Sequence, residues 1–167
     1  ERGVHRTHAN LTMRGVIGLA HNFSSSDVRL LTTAHINAVR TVPGRGIKIW
    51  GGRTLTNSAS EFRYVAVRRL ATFIQKAIVD GTEWVIFEEN DQMLWTSIRR
   101  EVSAFLTAQW RKGALQGDQL QDAFFVKCDT DTMSQSDIDS GRLILYVGFA
   151  PVKPAEFVIF RIVQKTG

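Results

Sequence analysis

The sequence predicts an α/β fold, a small mixed sheet covered by two main helices, and three observations support this. Two stretches, 61–79 and 92–110, repeat apolar residues every three or four positions, as amphipathic helices do. Short runs rich in β-branched and aromatic residues precede, separate and follow them. The 167 residues are 44% hydrophobic and 22% charged, which is typical of a folded globular domain. The order β-α-β-α-β-β-β therefore indicates a layered structure of sheet and helices.

The first part of the chain is divided by two breaks rich in Gly, Ser and Pro, at 23–27 and 41–46. Between them we predict a short helix over 28–39, capped by Asp27. After Pro43 the run GIKIW predicts a strand. We expect residues 1–42 to lead into a domain formed by residues 43–167.

Two longer helices follow, separated by a strand. The first is predicted over 61–79, and the run WVIFEE after it predicts a buried strand. Asn90 or Asp91 is expected to cap the second helix, which should stop with Gly113 at its C′ position. The predicted core residues of the two helices are Phe62, Ala66, Leu70, Phe73, Ile74, Ala77, Ile78, Leu94, Ile98, Val102, Phe105, Leu106 and Trp110.

Three further strands are predicted near the C-terminus: AFFVKCD, GRLILYVGFA and PAEFVIFRIVQ. The last of these carries large apolar residues on both faces, as a doubly buried strand does. A chain terminus of this kind needs a partner, because unpartnered termini usually fray. We therefore expect that whatever binds residues 157–163 is closely connected with the function of the protein.

Motifs for cofactors are incomplete. GIKIWGGRT resembles a phosphate-binding loop, but Gly52 and Arg53 stand where its lysine belongs. The segment 129–140 resembles a calcium loop in its first residues only, since Met133 and Ser140 replace oxygen ligands that the loop requires. We therefore expect no catalytic, cofactor-binding or metal-binding residues in this chain.

The net charge of +5 allows an acidic partner without naming one. A basic nucleic-acid-binding module is the alternative function that this charge raises. It lacks the expected basic cluster interleaved with aromatic residues, so we expect no nucleic-acid partner. No apolar run approaches the roughly 20 residues that span a bilayer, so we also expect no membrane insertion.

An ordered set of segments resembles the contractile tail sheath proteins of phages, R-type pyocins and extracellular injection systems. The segments are RGVIGLA, GRGIKIWGGRTL, FRYVAVRRLATFIQKAI, WVIFEEND, FLTAQWRKGALQG, FFVKCD and GRLILYVGFAPVKPAEFVIFRI. The resemblance runs from about Met13 to Gln164. Its most specific residues are Trp50, Gly51, Arg53, Thr54, Pro151, Pro154, Ala155 and Glu156.

The resemblance implies a structural protein, not an enzyme, and it implies the C-terminal part of a longer subunit. Family sheaths form stacked hexameric rings around an inner tube and contract to drive it through a cell envelope. The implied partners are other sheath subunits, the tail tube protein, the baseplate and the tail terminator. The implied location is a virion tail or a phage-tail-like particle assembled in the bacterial cytoplasm. Phage, pyocin and injection-system origins stay open.

Two sets of residues become candidate contacts under this resemblance. The terminal strand is expected to join a sheet of its own or a neighbouring subunit through Phe157, Val158, Ile159, Phe160, Arg161, Ile162 and Val163. Both versions stay open, although a hairpin with GRLILYVGFA favours its own subunit. The tube is expected to contact a basic helix surface formed by Arg68, Arg69 and Lys76, or alternatively by Arg99 and Arg100.

Overall fold

The computed structural model describes residues 3–57 and 59–156, and its architecture is α/β. The elements are α1 Ser25–Thr33, β1 Ala38–Val42, β2 Gly46–Trp50, α2 Val65–Gly81, α3 Gln92–Arg111, α4 Leu120–Ala123, β3 Phe124–Lys127, α5 Gln135–Asp139 and β4 Tyr146–Phe149. The predicted class is confirmed. Among the described residues the strands form two antiparallel pairs, β1–β2 and β3–β4, where one mixed sheet was expected. Residues 157–164 of the predicted terminal strand lie outside the described residues, and residues 154–156 are not part of a strand.

The hairpin β1–β2 replaces the end of the predicted first helix. α1 stops at Thr33 because His35 adopts a left-handed conformation, with φ +60°. The N–H groups of His35 and Ile36 then bond the carbonyls of Thr32 and Leu31, which terminates the helix. A histidine at this position is not a recognisable stop signal, so the predicted helix was too long. Its cap was also misplaced, since Ser24 occupies the N-cap position and Asp27 completes a capping box.

The main core lies between α2, α3 and the β3–β4 pair. α3 begins at its cap Asp91, and Gly113 follows its end with φ +71°, both as predicted. Helices α2 and α3 bury most of the residues that periodicity selected, and Leu70 and Leu106 are fully buried. Phe62 and Phe73 are exceptions, with exposed fractions of 37% and 39%.

The predicted strand WVIFEE is wrong. Residues Glu83–Val85 form a short 3₁₀ turn, and the chain then bends through Phe87, whose φ of +76° is incompatible with a strand. A short apolar run cannot be assigned to one element by its pattern alone. Here Val85 packs against the core, while Ile86 and Phe87 are 61% and 102% exposed.

Candidate functional site

The loop after β2 holds Arg53 in place through its backbone. Gly51 has φ +144°, and a Cβ atom there would lie 2.5 Å from the side-chain oxygen of Asn37. Only glycine therefore fits without a shift. The same Asn37 oxygen accepts a bond of 2.9 Å from the Arg53 N–H, and its amide group donates one of 2.7 Å to the Arg53 carbonyl. Asn37 thus fixes the backbone on both sides of the Arg53 side chain.

The entrance to α2 supplies the second side of the site. Arg53 and Tyr64 form an isolated antiparallel bridge. The N–H groups of Thr54 and Val65 donate to the carbonyls of Arg63 and Gly52, at 2.8 and 2.9 Å. The side chain of Tyr64 is buried beneath this bridge, with 7% of the residue exposed.

The chain after β4 supplies the third side. Pro151 cannot donate a backbone bond, so its neighbours make the contacts. The Ala150 carbonyl accepts from the N–H of Gln116 at 2.9 Å, and the Val152 N–H donates to the Ala114 carbonyl at 3.2 Å. These bonds fasten the chain four to six residues before Glu156 to the loop that follows α3.

The three sides meet in what we call the Arg53–Glu156 cluster, formed by Arg53, Tyr64 and Glu156. The Arg53 guanidinium donates to both carboxylate oxygens of Glu156, at 2.9 and 2.7 Å. The Tyr64 hydroxyl donates to the Oε2 atom of Glu156 at 3.2 Å. A third guanidinium bond, of 2.9 Å, runs to the Thr32 carbonyl at the end of α1. The side chains of Arg53 and Glu156 are only 13% and 20% exposed.

The electrostatics of the cluster keep both partners charged. The hydrogen bonds from Arg53 lower the pKa of Glu156, which partial burial alone would raise. The same pair raises the pKa of Arg53, mainly through its hydrogen bond to Glu156. A bidentate arginine–carboxylate pair also fixes the relative orientation of the two side chains. The arrangement is suited to holding two chain segments together, because neither group is poised to exchange a proton near neutral pH.

The cluster brings together Arg53 and Glu156, two of the residues most specific to the resemblance, for which the sequence alone indicated no role. Arg53 and Glu156 are 103 positions apart in the sequence and share one salt bridge. Thr54 supports the loop through its hydroxyl, which donates to the Phe62 carbonyl at 2.9 Å. Sequence reasoning missed Tyr64 and Asn37. The opposite charges at Arg53 and Glu156 were the available signal for this pair.

The candidate tube-facing residues occupy different environments. Arg68 and Arg69 are exposed on α2, and the Arg68 guanidinium lies 4.7 Å from the centre of the Phe62 ring. Lys76 is exposed and forms a 2.9 Å ion pair with Asp80. On α3, Arg100 is exposed, whereas Arg99 is half-buried and donates to the Cys128 carbonyl. Arg99 is therefore tied to the backbone of another segment, whereas Lys76 is paired with Asp80 on its own helix.

Residues 3–57 and 59–156 contain no group of three or more His, Cys, Asp or Glu side chains placed to hold a metal ion. None of their helices is long and apolar enough to cross a membrane.

Comparisons with solved structures place the fold among the contractile sheaths. The chain is 34% identical to a chain of the PVC extracellular contractile injection system sheath complex in its contracted state, with a TM-score of 0.93. That match covers 98% of this chain and 47% of the other. A chain in the baseplate structure of the anti-feeding prophage is 33% identical, with a TM-score of 0.93, over 99% of this chain and 46% of the other.

The family follows from the sequence comparisons. This chain belongs to the phage tail sheath C-terminal domain family, whose model matches residues 57–165. The tail sheath protein of Vibrio phage KVP40 is 30% identical over 151 residues, which is 90% of this chain and 22% of that protein. The chain thus spans less than half the length of these relatives.

Proposed function

We propose that this chain is the C-terminal part of a structural subunit of a contractile tail sheath. The subunits assemble as stacked hexameric rings around an inner tube and contract to drive that tube through a cell envelope. The observation that carries the proposal is the similarity to the contracted PVC sheath complex over 98% of the chain, with a TM-score of 0.93. The anti-feeding prophage baseplate was symmetrised six-fold, which supports hexameric rings.

The proposed setting extends the resemblance to sheath proteins, and the similarity to a chain in the anti-feeding prophage baseplate supports its baseplate part. The subunit contacts other sheath subunits, the tube, the baseplate and the tail terminator, in a virion tail or phage-tail-like particle assembled in the bacterial cytoplasm. Residues 43–167 form the sheath domain, and residues 1–42 lead into it. The hairpin β1–β2 connects these two parts.

The test of assembly is electron microscopy of the complete polypeptide that contains this chain. We expect it to polymerise into ordered tubes with six-fold symmetry, without a nucleotide. Protein that stays monomeric at high concentration and shows no ordered polymer contradicts the proposed function.

The terminal strand, residues Phe157–Val163, is proposed to complete a sheet. Two features support this. The Arg53–Glu156 cluster fixes the base of the segment, and the described β3–β4 pair has only two strands, so each has an edge that the described residues leave unpaired. An open edge binds an extended segment through main-chain bonds, and alternate side chains set the register. Pro151 and Pro154 keep the approach extended.

Deleting residues from Phe157 onward in the complete polypeptide should abolish polymerisation. If the strand is donated to a neighbour, the shortened protein should stay folded and monomeric. A peptide covering 154–165 should then bind the intact protein. If the strand belongs to its own subunit, the shortened protein should aggregate and melt without cooperativity. Ordered tubes from the shortened protein contradict both versions.

Contact with the tube is proposed to use the basic surface of α2, formed by Arg68, Arg69 and Lys76. The α3 residues Arg99 and Arg100 are the alternative. Exposure of Arg68 and Arg69 supports α2, and the bond of Arg99 to the Cys128 carbonyl makes that residue less available. Exposed ion pairs contribute about 0.2–1 kcal/mol each, which suits a contact that must release during contraction.

The double variant Arg68→Glu/Arg69→Glu tests this contact. We expect it to form empty polymers normally and to fail to assemble around tubes, because the proposed partner of a basic helix surface is acidic and would repel the introduced glutamates. Arg45→Glu is the control, since Arg45 is exposed in the turn between β1 and β2. Normal extended tails from the double variant remove α2 from the tube contact and favour Arg100.

A further inference from the structure

The loop formed by Trp84–Glu89, here called the 84–89 loop, exposes apolar side chains beside carboxylates. Ile86 is 61% exposed and Phe87 is fully exposed. Phe87 also has φ +76°, a backbone conformation that bulky side chains rarely adopt. Glu88 and Glu89 follow directly, and within the described part of the chain neither takes part in a salt bridge.

The loop is held in this shape by hydrogen bonds. The Trp84 indole donates to the Glu101 carboxylate at 3.1 Å. The N–H of Ile86 donates to the Glu83 carbonyl at 3.3 Å, and the N–H of Glu88 donates to the Val85 carbonyl at 3.1 Å. A preformed loop loses little conformational freedom when it binds. An aromatic anchor next to two carboxylates would fit a concave surface with an apolar floor and a basic rim.

The same chain carries such a surface, here called the Val4 cavity. It has a volume of about 670 Å³ and is lined by Gly3, Val4, His5, Arg6, Phe73, Gln109 and Lys112. Val4 and the 39% exposed Phe73 supply apolar surface. Arg6 and Lys112 supply positive charge, and no carboxylate is among its lining residues.

We propose that the 84–89 loop of one copy of this chain inserts into the Val4 cavity of a second copy. Phe87 contacts Phe73 and Val4, and the two glutamates face Arg6 and Lys112. The proposal rests on the sheath assembly proposed above and adds a specific contact to it.

Insertion within one copy is excluded by distance. The 84–89 loop precedes the N-terminus of α3, and Lys112 directly follows its C-terminus. The 20 residues of α3 span about 30 Å at 1.5 Å per residue, so the loop glutamates cannot reach Lys112 of their own copy. Because the two surfaces differ, the contact is heterologous, and each added copy presents a new loop and a new cavity. Contacts of this kind build rings and helical arrays.

Charge reversal tests the contact in the complete polypeptide. The loop variant is Glu88→Lys/Glu89→Lys, and the cavity variant is Arg6→Glu/Lys112→Glu. We expect each to raise the critical concentration for polymerisation about tenfold, because like charges then face each other. Combining all four substitutions in one chain should restore polymerisation, and so should mixing the two variants. Arg45→Glu, in the exposed turn between β1 and β2, is the matched control.

A cysteine cross-link gives an independent readout. Phe87→Cys combined with Arg6→Cys should produce a ladder of disulfide-linked oligomers under oxidising conditions, and either substitution alone should not. The native Cys128 is fully buried, so it does not compete. If wild-type protein polymerises, three results contradict the loop contact alone. They are no ladder from the double-cysteine variant, charge-reversal variants that polymerise like wild type, and no rescue by the combined substitutions. Wild-type protein that forms no polymer removes the sheath assembly and the loop contact together.

Discussion

Replacing Glu156 by Gln should lower the free energy of unfolding of this chain by about 2 kcal/mol. Glu156 accepts two bonds from Arg53, of 2.9 and 2.7 Å, and one of 3.2 Å from Tyr64. Hydrogen bonds to charged groups contribute about 1.5–3 kcal/mol each. The Gln side chain keeps one acceptor oxygen, and water reaches side chains that are 13% and 20% exposed. We therefore expect a loss well below the sum of the three bonds.

Urea denaturation followed by circular dichroism measures this loss. For a chain of this size about 1 kcal/mol shifts the melting temperature by roughly 2–4 °C, so the variant should melt about 4–8 °C lower. A double-mutant cycle with Arg53→Gln should give a coupling energy of about 1–2 kcal/mol, since the two side chains contact each other directly.

Glu61→Gln is the matched control for this cycle. Glu61 and Lys153 also pair across a long sequence separation, at 3.1 Å, but their side chains are 77% and 46% exposed. An exposed pair of this kind contributes less than about 1 kcal/mol. Equal losses from Glu156→Gln and Glu61→Gln, or a coupling below about 0.5 kcal/mol, would refute the argument that the cluster anchors the C-terminal segment.

Three further predictions follow from single positions. The pKa of Glu156 is lowered from its ordinary value of 4.5. The stability that its carboxylate contributes should therefore be complete above that pH and be lost as the pH falls through the lowered pKa. The difference in free energy of unfolding between wild type and Glu156→Gln should accordingly narrow when it is measured at successively more acidic pH. Gly51→Ala should destabilise the chain by about 1–3 kcal/mol in urea, because its Cβ would collide with Asn37 at a positive φ. Leu106→Ala should cost about 2–5 kcal/mol because Leu106 is fully buried, whereas Leu55→Ala, at an 85% exposed position, should stay within about 0.5 kcal/mol by the same measurement.

The local elements were largely predictable. The repeat of apolar residues identified α2 and α3, because a helix that packs on a core must keep one face apolar. Asp91 and Gly113 marked the two ends of α3, since a cap and a left-handed stop act within a few residues. The strands β2, β3 and β4 lie within runs that were predicted as strands from their β-branched and aromatic residues. In these segments each residue and the few residues next to it along the chain decide the backbone conformation.

Other segments depended on tertiary contacts. The run 84–87 has the composition of a strand, but no strand among the described residues pairs with it, and it forms a turn that exposes Phe87. Residues 38–42 form β1 because they pair with β2 across the turn after Pro43. Propensity is a weak guide in such short segments, because pairing and burial override it.

The sequence by itself determined the two helices, the α/β class and the motifs that characterise the family. Only the tertiary structure decided that Arg53 and Glu156 meet, and that Tyr64 and Asn37 hold them. The physical reason is that such a salt bridge leaves no periodic pattern in the chain. It forms because the loop after β2 and the segment after β4 are each fixed by backbone bonds to other elements, which bring two opposite charges together across 103 positions.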